Sequence, residues 1–253
     1  MKLAIGGKGG VGKTTICAHI IKELSMRGRS VLAIDADPSP HLGRLLGFSG
    51  LDSITPIAEM KDLLQERSEK NGPFYKINPK VDDLPDRFML EQYGIKLMVL
   101  GSIQQAGVGC ACADNAVLRS LLNLLLLSPN EDIVLDMEAG VEYLGRGTIV
   151  GVDYFLVVVQ PYRGSIETAI KILRLSKELK LSNVLFIANQ VVTKDDIDFI
   201  SNSLGQLPIV SYPDVNDIKL FERKSKPVWL ASKEFQKVTK ELIDKLITGE
   251  VSG

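Results

Sequence analysis

The chain has 253 residues, of which 45% are hydrophobic and 24% are charged, as is ordinary for a soluble globular protein. Its 30 basic and 31 acidic residues give a net charge of -1, which argues against a nucleic-acid binder that uses a general basic surface. No apolar run approaches the length of a membrane span, and three cysteines are too few for a secreted disulfide framework. We therefore expect a cytoplasmic protein with no nucleic-acid and no membrane partner.

Short apolar runs alternate with helical patterns along the chain. The predicted strands lie at residues 3–5, 30–34, 96–100, 132–136, 154–159 and 184–188, and the predicted helices at 15–27, 115–127 and 237–247. Gly28 is placed to end the first helix. The strands are almost wholly apolar, so both of their faces must be covered. This pattern predicts an α/β fold with a doubly wound, mostly parallel sheet flanked by helices.

Residues 51–92 depart from this alternation, because they are polar and interrupted by prolines at positions 56, 73, 79 and 85. We expect them to form short helices and loops inserted into a single domain that spans residues 1–253. The segment is interpreted as a lid, a partner surface or a plain surface excursion.

The segment from Gly7 to Thr14 fits the pattern G-x-x-x-x-G-K-[ST] at every fixed position, between a predicted strand and a predicted helix, which predicts a P-loop NTPase. In such a loop, backbone N–H groups and the helix dipole bind phosphate oxygens. Lys13 is expected to reach the β- and γ-phosphates, and the Thr14 hydroxyl to ligate Mg²⁺. The predicted nucleotide-binding residues of the loop are Gly9, Gly10, Val11, Gly12, Lys13, Thr14 and Thr15.

Polar side chains stand at or just past the ends of other predicted strands. They are Asp35, Asp37, Asp136 and Asn189. Because ligands of doubly wound sheets bind at the carboxyl ends of the strands, we expect these side chains near the glycine loop.

Two cysteines, Cys110 and Cys112, follow a predicted strand just before a long helix. Thiolates are soft ligands that suit zinc, copper(I), nickel or an iron–sulfur centre. Two cysteines do not complete a four-coordinate site, but a two-fold dimer would supply two more. The alternative is a pair of buried cysteines without a ligand.

The loop also carries a second lysine, Lys8, which an ordinary phosphate loop does not need. With it, residues 8–14 resemble the deviant Walker A loop of the MinD/ParA-type dimeric ATPases. The resemblance implies an ATP-dependent homodimer in which Lys8 reaches across the interface to the nucleotide of the partner. Lys8, Lys13 and Asp37 would then be the catalytic residues.

Further segments are similar to the same family. Residues 35–38 resemble its first switch, which implies that Asp37 orients the attacking water and Asp35 holds Mg²⁺-bound water. Residues 136–140 resemble its D-x-x-A-G second switch and place Asp136 on the Mg²⁺ side.

A third segment, residues 186–190, is similar to the part of the family that reads the nucleotide base. Asn189 resembles the base-reading asparagine, whose amide can both donate to and accept from adenine. The resemblance also implies that Tyr212 and Pro213 lie beside the base.

Residues 55–62, 109–122 and 139–148 resemble the CooC and AcsF group of nickel-insertion ATPases. The group implies Ni²⁺, with Zn²⁺ as an alternative occupant, bound by Cys110 and Cys112 of both chains. Hydrolysis of ATP to ADP would then release the metal to carbon monoxide dehydrogenase or acetyl-CoA synthase. Two other interpretations stay open: an iron–sulfur carrier or assembly ATPase, and a spatial regulator of the MinD/ParA kind. The one-residue cysteine spacing favours nickel.

Overall fold

The computed structural model of the chain describes residues 1–68, 70–71, 74–75, 79–101, 111–127, 130–137 and 151–251. The strands within these residues are β1 (Lys2–Gly7), β2 (Val31–Ala36), β3 (Lys70–Asn71), β4 (Phe74–Tyr75), β5 (Leu90–Gln92), β6 (Ile95–Val99), β7 (Asp132–Met137), β8 (Tyr154–Val159), β9 (Val184–Val191) and β10 (Val210–Pro213).

Eight of these strands form the central sheet, in the order β10-β9-β8-β1-β7-β2-β6-β5. Each neighbouring pair is parallel except β5 with β6, which is antiparallel. Strands β3 and β4 form a separate antiparallel pair. The predicted doubly wound, mostly parallel sheet is therefore confirmed.

Helices connect the strands on both sides of the sheet. Those in the described part of the chain are α1 (Lys13–Met26), α2 (Leu42–Leu46), α3 (Lys61–Arg67), α4 (Leu84–Phe88), α5 (Ala111–Leu126), α6 (Arg163–Glu178), α7 (Lys194–Leu204), α8 (Asn216–Arg223) and α9 (Lys233–Thr248). Gly28 follows α1 with φ +75°, and its N–H bonds the carbonyl of Ser25, so it ends the helix as predicted.

The sheet separates two apolar layers, as strand β2 illustrates. Leu32 and Ile34 pack with apolar residues of α5 and α6 on one face. Val31 and Ala33 pack with residues of α1 and α9 on the other face. Because successive side chains of a strand point to opposite faces, an apolar run of this kind has to be covered twice.

Residues 51–92 contain α3 and α4 as well as short 3₁₀ turns at Leu51–Ser53 and Ile57–Glu59. The segment also holds the β3–β4 pair and ends in β5, which joins the edge of the central sheet. The guanidinium of Arg67 donates to both carboxylate oxygens of Asp83, at 2.9 and 2.7 Å, and thereby links α3 to the start of α4.

No helix among residues 1–68, 79–101, 111–127 and 151–251 is long and apolar enough to cross a bilayer.

His19 is an ionisable side chain inside the layer between α1 and α9. Its Nδ1 donates to the Thr15 carbonyl oxygen at 2.9 Å, while its buried Nε2 has no hydrogen-bond partner among the described residues. Its ring lies 4.5 Å from the Phe235 ring, centroid to centroid. Burial lowers the pKa of His19 to about 4, although the bond to Thr15 acts in the opposite direction.

We expect replacement of this imidazole, His19→Leu, to remove one pH-dependent part of the stability. With the folded-state pKa at about 4 and the unfolded-state value near 6.5, the unfolded chain binds the extra proton. His19 therefore favours folding fully above pH 6.5, and this contribution is lost as the pH falls towards 4. Between pH 7 and pH 5, the wild type should lose about 2 kcal/mol of unfolding free energy relative to the variant. Urea unfolding at several pH values measures this difference, and a difference independent of pH would contradict the prediction.

Candidate functional site

A cavity of about 740 Å³ opens at the carboxyl ends of β1, β2, β9 and β10. The predicted site residues that line it are Gly9, Gly10, Gly12, Lys13, Thr14, Thr15, Asp37, Asn189 and Pro213. The structure thus brings the glycine loop, part of the first switch and the end of β9 around one space, as expected for ligands of a doubly wound sheet.

The glycine loop packs its ends on the protein and leaves its middle open. At Gly7, φ is +143°, and an added Cβ would lie 2.5 Å from the Val158 carbonyl oxygen. At Gly12, φ is +92°, and an added Cβ would lie 2.4 Å from Asn189 Nδ2. Nothing lies within 4 Å of a Cβ built on Gly9 or Gly10. The open middle of the loop therefore has room for a ligand to approach the backbone.

Lys13 is folded back into this loop. Its side chain is buried, and its Nζ donates to the Lys8 carbonyl oxygen at 3.3 Å. The ammonium group also acts on the buried carboxyl of Asp136, whose pKa it lowers. Lys13 thus stands between the phosphate loop and the acidic residues beneath it.

The acidic pair beneath the loop consists of Asp35 and Asp136, which face each other in register on β2 and β7. Each is 1% exposed. Burial raises the pKa of Asp35 to about 6. Burial, and then the charge of Asp35, raise the pKa of Asp136 to about 7. Two carboxylates in this arrangement disfavour each other's charge unless a cation is close by.

Asp136 has the properties of a magnesium ligand. Both of its carboxylate oxygens are buried and have no hydrogen-bond partner among the described residues. The Thr14 hydroxyl is close enough to lower its pKa. Carboxylate and hydroxyl oxygens are ligands that Mg²⁺ accepts, so Thr14 and Asp136 fit this ion.

Asp35 is satisfied by the backbone and ties two segments together. Its carboxylate accepts the N–H groups of Asp37 at 3.2 Å and Leu42 at 2.9 Å. Its carbonyl oxygen accepts those of Leu100 at 2.9 Å and Gly101 at 3.2 Å. The remaining lone pairs of the carboxylate are what a metal-bound water would use.

Asp37 lies half-buried at the wall of the cavity. One of its carboxylate oxygens accepts the N–H of Ser39 at 2.8 Å, which holds a tight turn at the start of the first switch. Asp37 therefore lines the same cavity as the middle of the glycine loop.

Asn189 is buried at the end of β9 and contacts the glycine loop directly. Its Nδ2 donates to the Val11 carbonyl oxygen at 2.7 Å. Its Oδ1 has no partner within the described part of the chain. One of the two Nδ2 protons is thus used on the loop, so a contact with the base that both donates and accepts would be made by the other proton and Oδ1.

The prediction for Tyr212 was wrong as far as its side chain is concerned. Tyr212 is fully buried, its hydroxyl donates to Thr239 Oγ1 at 3.1 Å, and its ring lies 4.3 Å from that of Phe235. Side chains alternate along β10, so Tyr212 points into the core whereas Pro213 lines the cavity.

Lys8 contacts its own chain in this structure. Its Nζ lies 5.1 Å from the centroid of the Tyr162 ring, just before α6. A Cβ added at Gly164 would lie 2.6 Å from the same Nζ. Tyr162 did not emerge from sequence reasoning, since an aromatic residue ahead of a helix carries no sign of this contact.

The predicted metal ligands lie mostly outside the described residues. Cys110 belongs to the part that the structure does not describe, as do residues 138–140 of the second switch. Helix α5 begins at Ala111, so the backbone of Cys112 lies in its first turn and not before the helix as expected.

A third cysteine, Cys17, is buried in α1, and burial raises the pKa of its thiol well above the usual value.

Neutralising the unpartnered carboxylate by Asp136→Asn should stabilise the nucleotide-free protein at alkaline pH. With its pKa raised from 3.8 to about 7, Asp136 loses stabilising free energy as the pH rises through this range. From pH 5 to pH 8, the unfolding free energy of the variant should therefore rise by roughly 2–3 kcal/mol relative to that of the wild type. Denaturant unfolding in EDTA checks this. Equal pH profiles for the two proteins would show that the carboxylate is not held in an unfavourable environment.

Comparisons with known proteins agree with this geometry. Residues 2–207 match the CobQ/CobB/MinD/ParA nucleotide binding domain family. The chain is 40% identical over 215 residues to the carbon monoxide dehydrogenase accessory protein CooC of Rhodospirillum rubrum, covering 83% of this chain and 82% of the relative. It is 37% identical to an uncharacterized ATP-binding protein of Methanocaldococcus jannaschii, over 95% of each chain.

Solved structures share the fold. The MinD cell division protein of Aquifex aeolicus superimposes with a TM-score of 0.69 at 22% identity, covering 98% of this chain and 97% of that one. A ParA family ATPase from Chlorobium tepidum gives a TM-score of 0.70 at 20% identity, covering 97% of each chain. The family match, the CooC relative and the shared architecture together identify the chain as a member of the CobQ/CobB/MinD/ParA nucleotide-binding family and, within it, as a CooC-type ATPase.

Proposed function

We propose that this ATPase is a metallochaperone that binds nickel through Cys110 and Cys112 at the interface of a homodimer and assists its insertion into carbon monoxide dehydrogenase. The observation that carries the proposal is the 40% identity with CooC over 83% of the chain, since that relative is named as an accessory protein of the dehydrogenase. The cysteine pair in this chain adds a soft-metal ligand set that ATP hydrolysis alone does not require.

The phosphate end of the cavity supports the ATPase part of the proposal. Gly9 and Gly10 leave the loop backbone open to phosphate oxygens, and Lys13 lies within the loop to bind the β- and γ-phosphates. Asp37 at the cavity wall would orient the attacking water in line with the terminal phosphate. Binding of the triphosphate would draw Lys13 away from the Lys8 carbonyl oxygen.

The acidic pair would hold the metal that accompanies the nucleotide. Thr14 and Asp136 would ligate Mg²⁺, and Asp35 would accept from a water on it. When bound, this ion supplies neutralisation of the charge that develops on the phosphoryl oxygens. The raised pKa values of Asp35 and Asp136 fit this role, because a nearby cation favours their ionised forms.

Hydrogen bonds at Asp35 support coupling between the nucleotide and the cysteines. The Asp35 carboxylate holds residues 37–42, and its carbonyl oxygen holds Leu100 and Gly101. Gly101 directly precedes residues 102–110, the last of which is Cys110. A change in the first switch on hydrolysis would thus be passed through Asp35 to Leu100 and Gly101. ATP can release the metal only if the two nucleotide states differ in affinity for it.

The homodimer would bring four thiolates together, because a two-fold axis repeats Cys110 and Cys112. Lys8 would then leave Tyr162 and reach the nucleotide of the partner. A cation–π contact with a residue as exposed as Tyr162, at 39%, contributes only about 0.5–1 kcal/mol. The attraction between the Lys8 ammonium group and a triphosphate outweighs this contact. Moving Lys8 from Tyr162 to the nucleotide of the partner would therefore cost little free energy.

We expect the chain to bind one nickel ion per dimer under reducing, anaerobic conditions and the Cys112→Ala variant to lose it. Equilibrium dialysis with metal analysis, combined with mass measurement in solution, gives the stoichiometry. Cys17→Ala is the matched control, since the Cys17 thiol is buried and kept protonated by its raised pKa. It should retain full nickel binding.

The same titration repeated with ADP and with a non-hydrolysable ATP analogue tests the coupling. The proposal requires nickel affinities that differ between the two nucleotide states. Equal affinities would remove the coupling, and a brown, iron-containing protein would favour the iron–sulfur alternative instead.

A separate prediction concerns Lys8. The Lys8→Ala variant should keep its ATP affinity within about threefold but lose at least tenfold in ATP turnover, as expected when a charge supplied across an interface is removed. It should also stay monomeric with the non-hydrolysable analogue. Lys13→Ala is the contrasting control, because it should weaken nucleotide binding itself. Wild-type turnover and dimerisation of Lys8→Ala would exclude a role for this lysine across the interface.

A further inference from the structure

The base end of the cavity presents a buried acceptor beside an amide nitrogen that is already bound to the glycine loop. Asn189 Oδ1 is buried and unpartnered among the described residues, whereas Asn189 Nδ2 is bound to the Val11 carbonyl oxygen. Adenine offers a donor, its 6-amino group, next to an acceptor, its N1. Asn189 Oδ1 can satisfy the first, and because one of the two Nδ2 protons is bound to the Val11 carbonyl oxygen, Asn189 keeps a single N–H group for the second.

The next residue, Gln190, lines the same cavity in a backbone conformation that glutamine rarely adopts. Its φ is +57°, in the left-handed region. The register between β9 and β10 shifts at this point, between Ser211 and Pro213. Irregularities of this kind re-aim side chains next to functional sites. Glycine or asparagine would adopt the conformation with less strain, so the side chain of Gln190 is the feature that calls for an explanation.

A buried glutamine that directly follows the neighbouring strand β8 fixes this side chain. Gln160, which is 6% exposed, donates from its Nε2 to Gln190 Oε1 at 2.5 Å. The backbone N–H of Gln160 in turn donates to Ser165 Oγ at 3.0 Å, which anchors it to the start of α6. The carbonyl end of Gln190 is thereby occupied, and its amino end is the part left to a ligand.

We propose that Gln190 is a specificity-determining residue for the nucleotide base. Its Nε2 donates to N1 of adenine, while Asn189 Oδ1 accepts from the 6-amino group. Guanine has the reverse pattern, with a proton on N1 and a carbonyl at position 6, so it meets donor against donor and acceptor against acceptor. Gln160 is a positioning residue that holds Gln190 through its Oε1. The inference rests on the nucleotide site proposed above.

The test compares ATP with 1-deaza-ATP, in which a C–H replaces N1, and with GTP. All three carry the same triphosphate, so ratios of their dissociation constants report on the base alone. We expect the wild-type chain to prefer ATP over 1-deaza-ATP by about 3- to 10-fold, as for one neutral hydrogen bond. In Gln190→Gly, which also relieves the backbone, this ratio should fall to about 1.

Gln190→Glu is the matched variant of nearly the same shape, because it keeps an oxygen for Gln160 Nε2 but carries no donor. It should lose the preference for ATP over 1-deaza-ATP as Gln190→Gly does. Gln160→Leu should reduce the preference for ATP over 1-deaza-ATP, while both of these nucleotides still bind. Melting temperatures of the variants establish that each is folded.

Wild-type ratios in both Gln190 variants, or an equal loss of affinity for ATP and 1-deaza-ATP, would overturn the proposal and leave Gln190 a structural residue. Failure of the underlying site is distinguishable from this. If Lys13→Ala binds all three nucleotides as tightly as the wild type, then the phosphate loop is not where they bind.

Discussion

Two buried carboxylates that lie side by side determine the charge of the site at the carboxyl end of this sheet. Asp35 and Asp136 are brought together by the parallel register of β2 and β7, two central strands whose remaining residues are almost entirely apolar. The register that builds the core therefore also builds the acidic pair. Lys13 offsets only part of this charge, and burial keeps both pKa values high. A site with unbalanced negative charge beneath a phosphate loop is suited to a divalent cation that arrives with its nucleotide.

Asp35 differs from its neighbour in how its polar atoms are used. Asp136 has no hydrogen-bond partner among the described residues, whereas Asp35 accepts four backbone N–H groups from two separate segments. The Asp136 carboxylate is thus left for a ligand, whereas Asp35 connects two backbone segments through hydrogen bonds. This division explains how neighbouring residues of the same type, both at strand ends, serve different purposes. Asp35 also bonds Leu100 and Gly101, which precede Cys110 in the sequence, to the start of the first switch.

Much of this architecture could be predicted from the sequence because apolar runs and glycine spacing report directly on burial and on backbone conformation. The strands around β2 and the glycine loop are the clearest cases. Helices α6, α7 and α8 were not predicted, since their apolar residues form narrow stripes among many charges. Tyr212 was misplaced because a short strand that ends in proline does not reveal which face meets the core. The contacts of Asn189 and the left-handed Gln190 depend on tertiary partners far away in sequence, which no local pattern encodes.

Both edges of the central sheet are short strands. On one side the edge strand is β5, which has three residues and runs antiparallel to its neighbour. On the other side it is β10, which has four residues and ends in Pro213, a residue without an N–H to offer. Short edges of this kind resist extension of the sheet by another molecule, and they limit aggregation through strand pairing. The homodimer proposed above would thus be held by contacts of loops and side chains and not by a continuous intermolecular sheet.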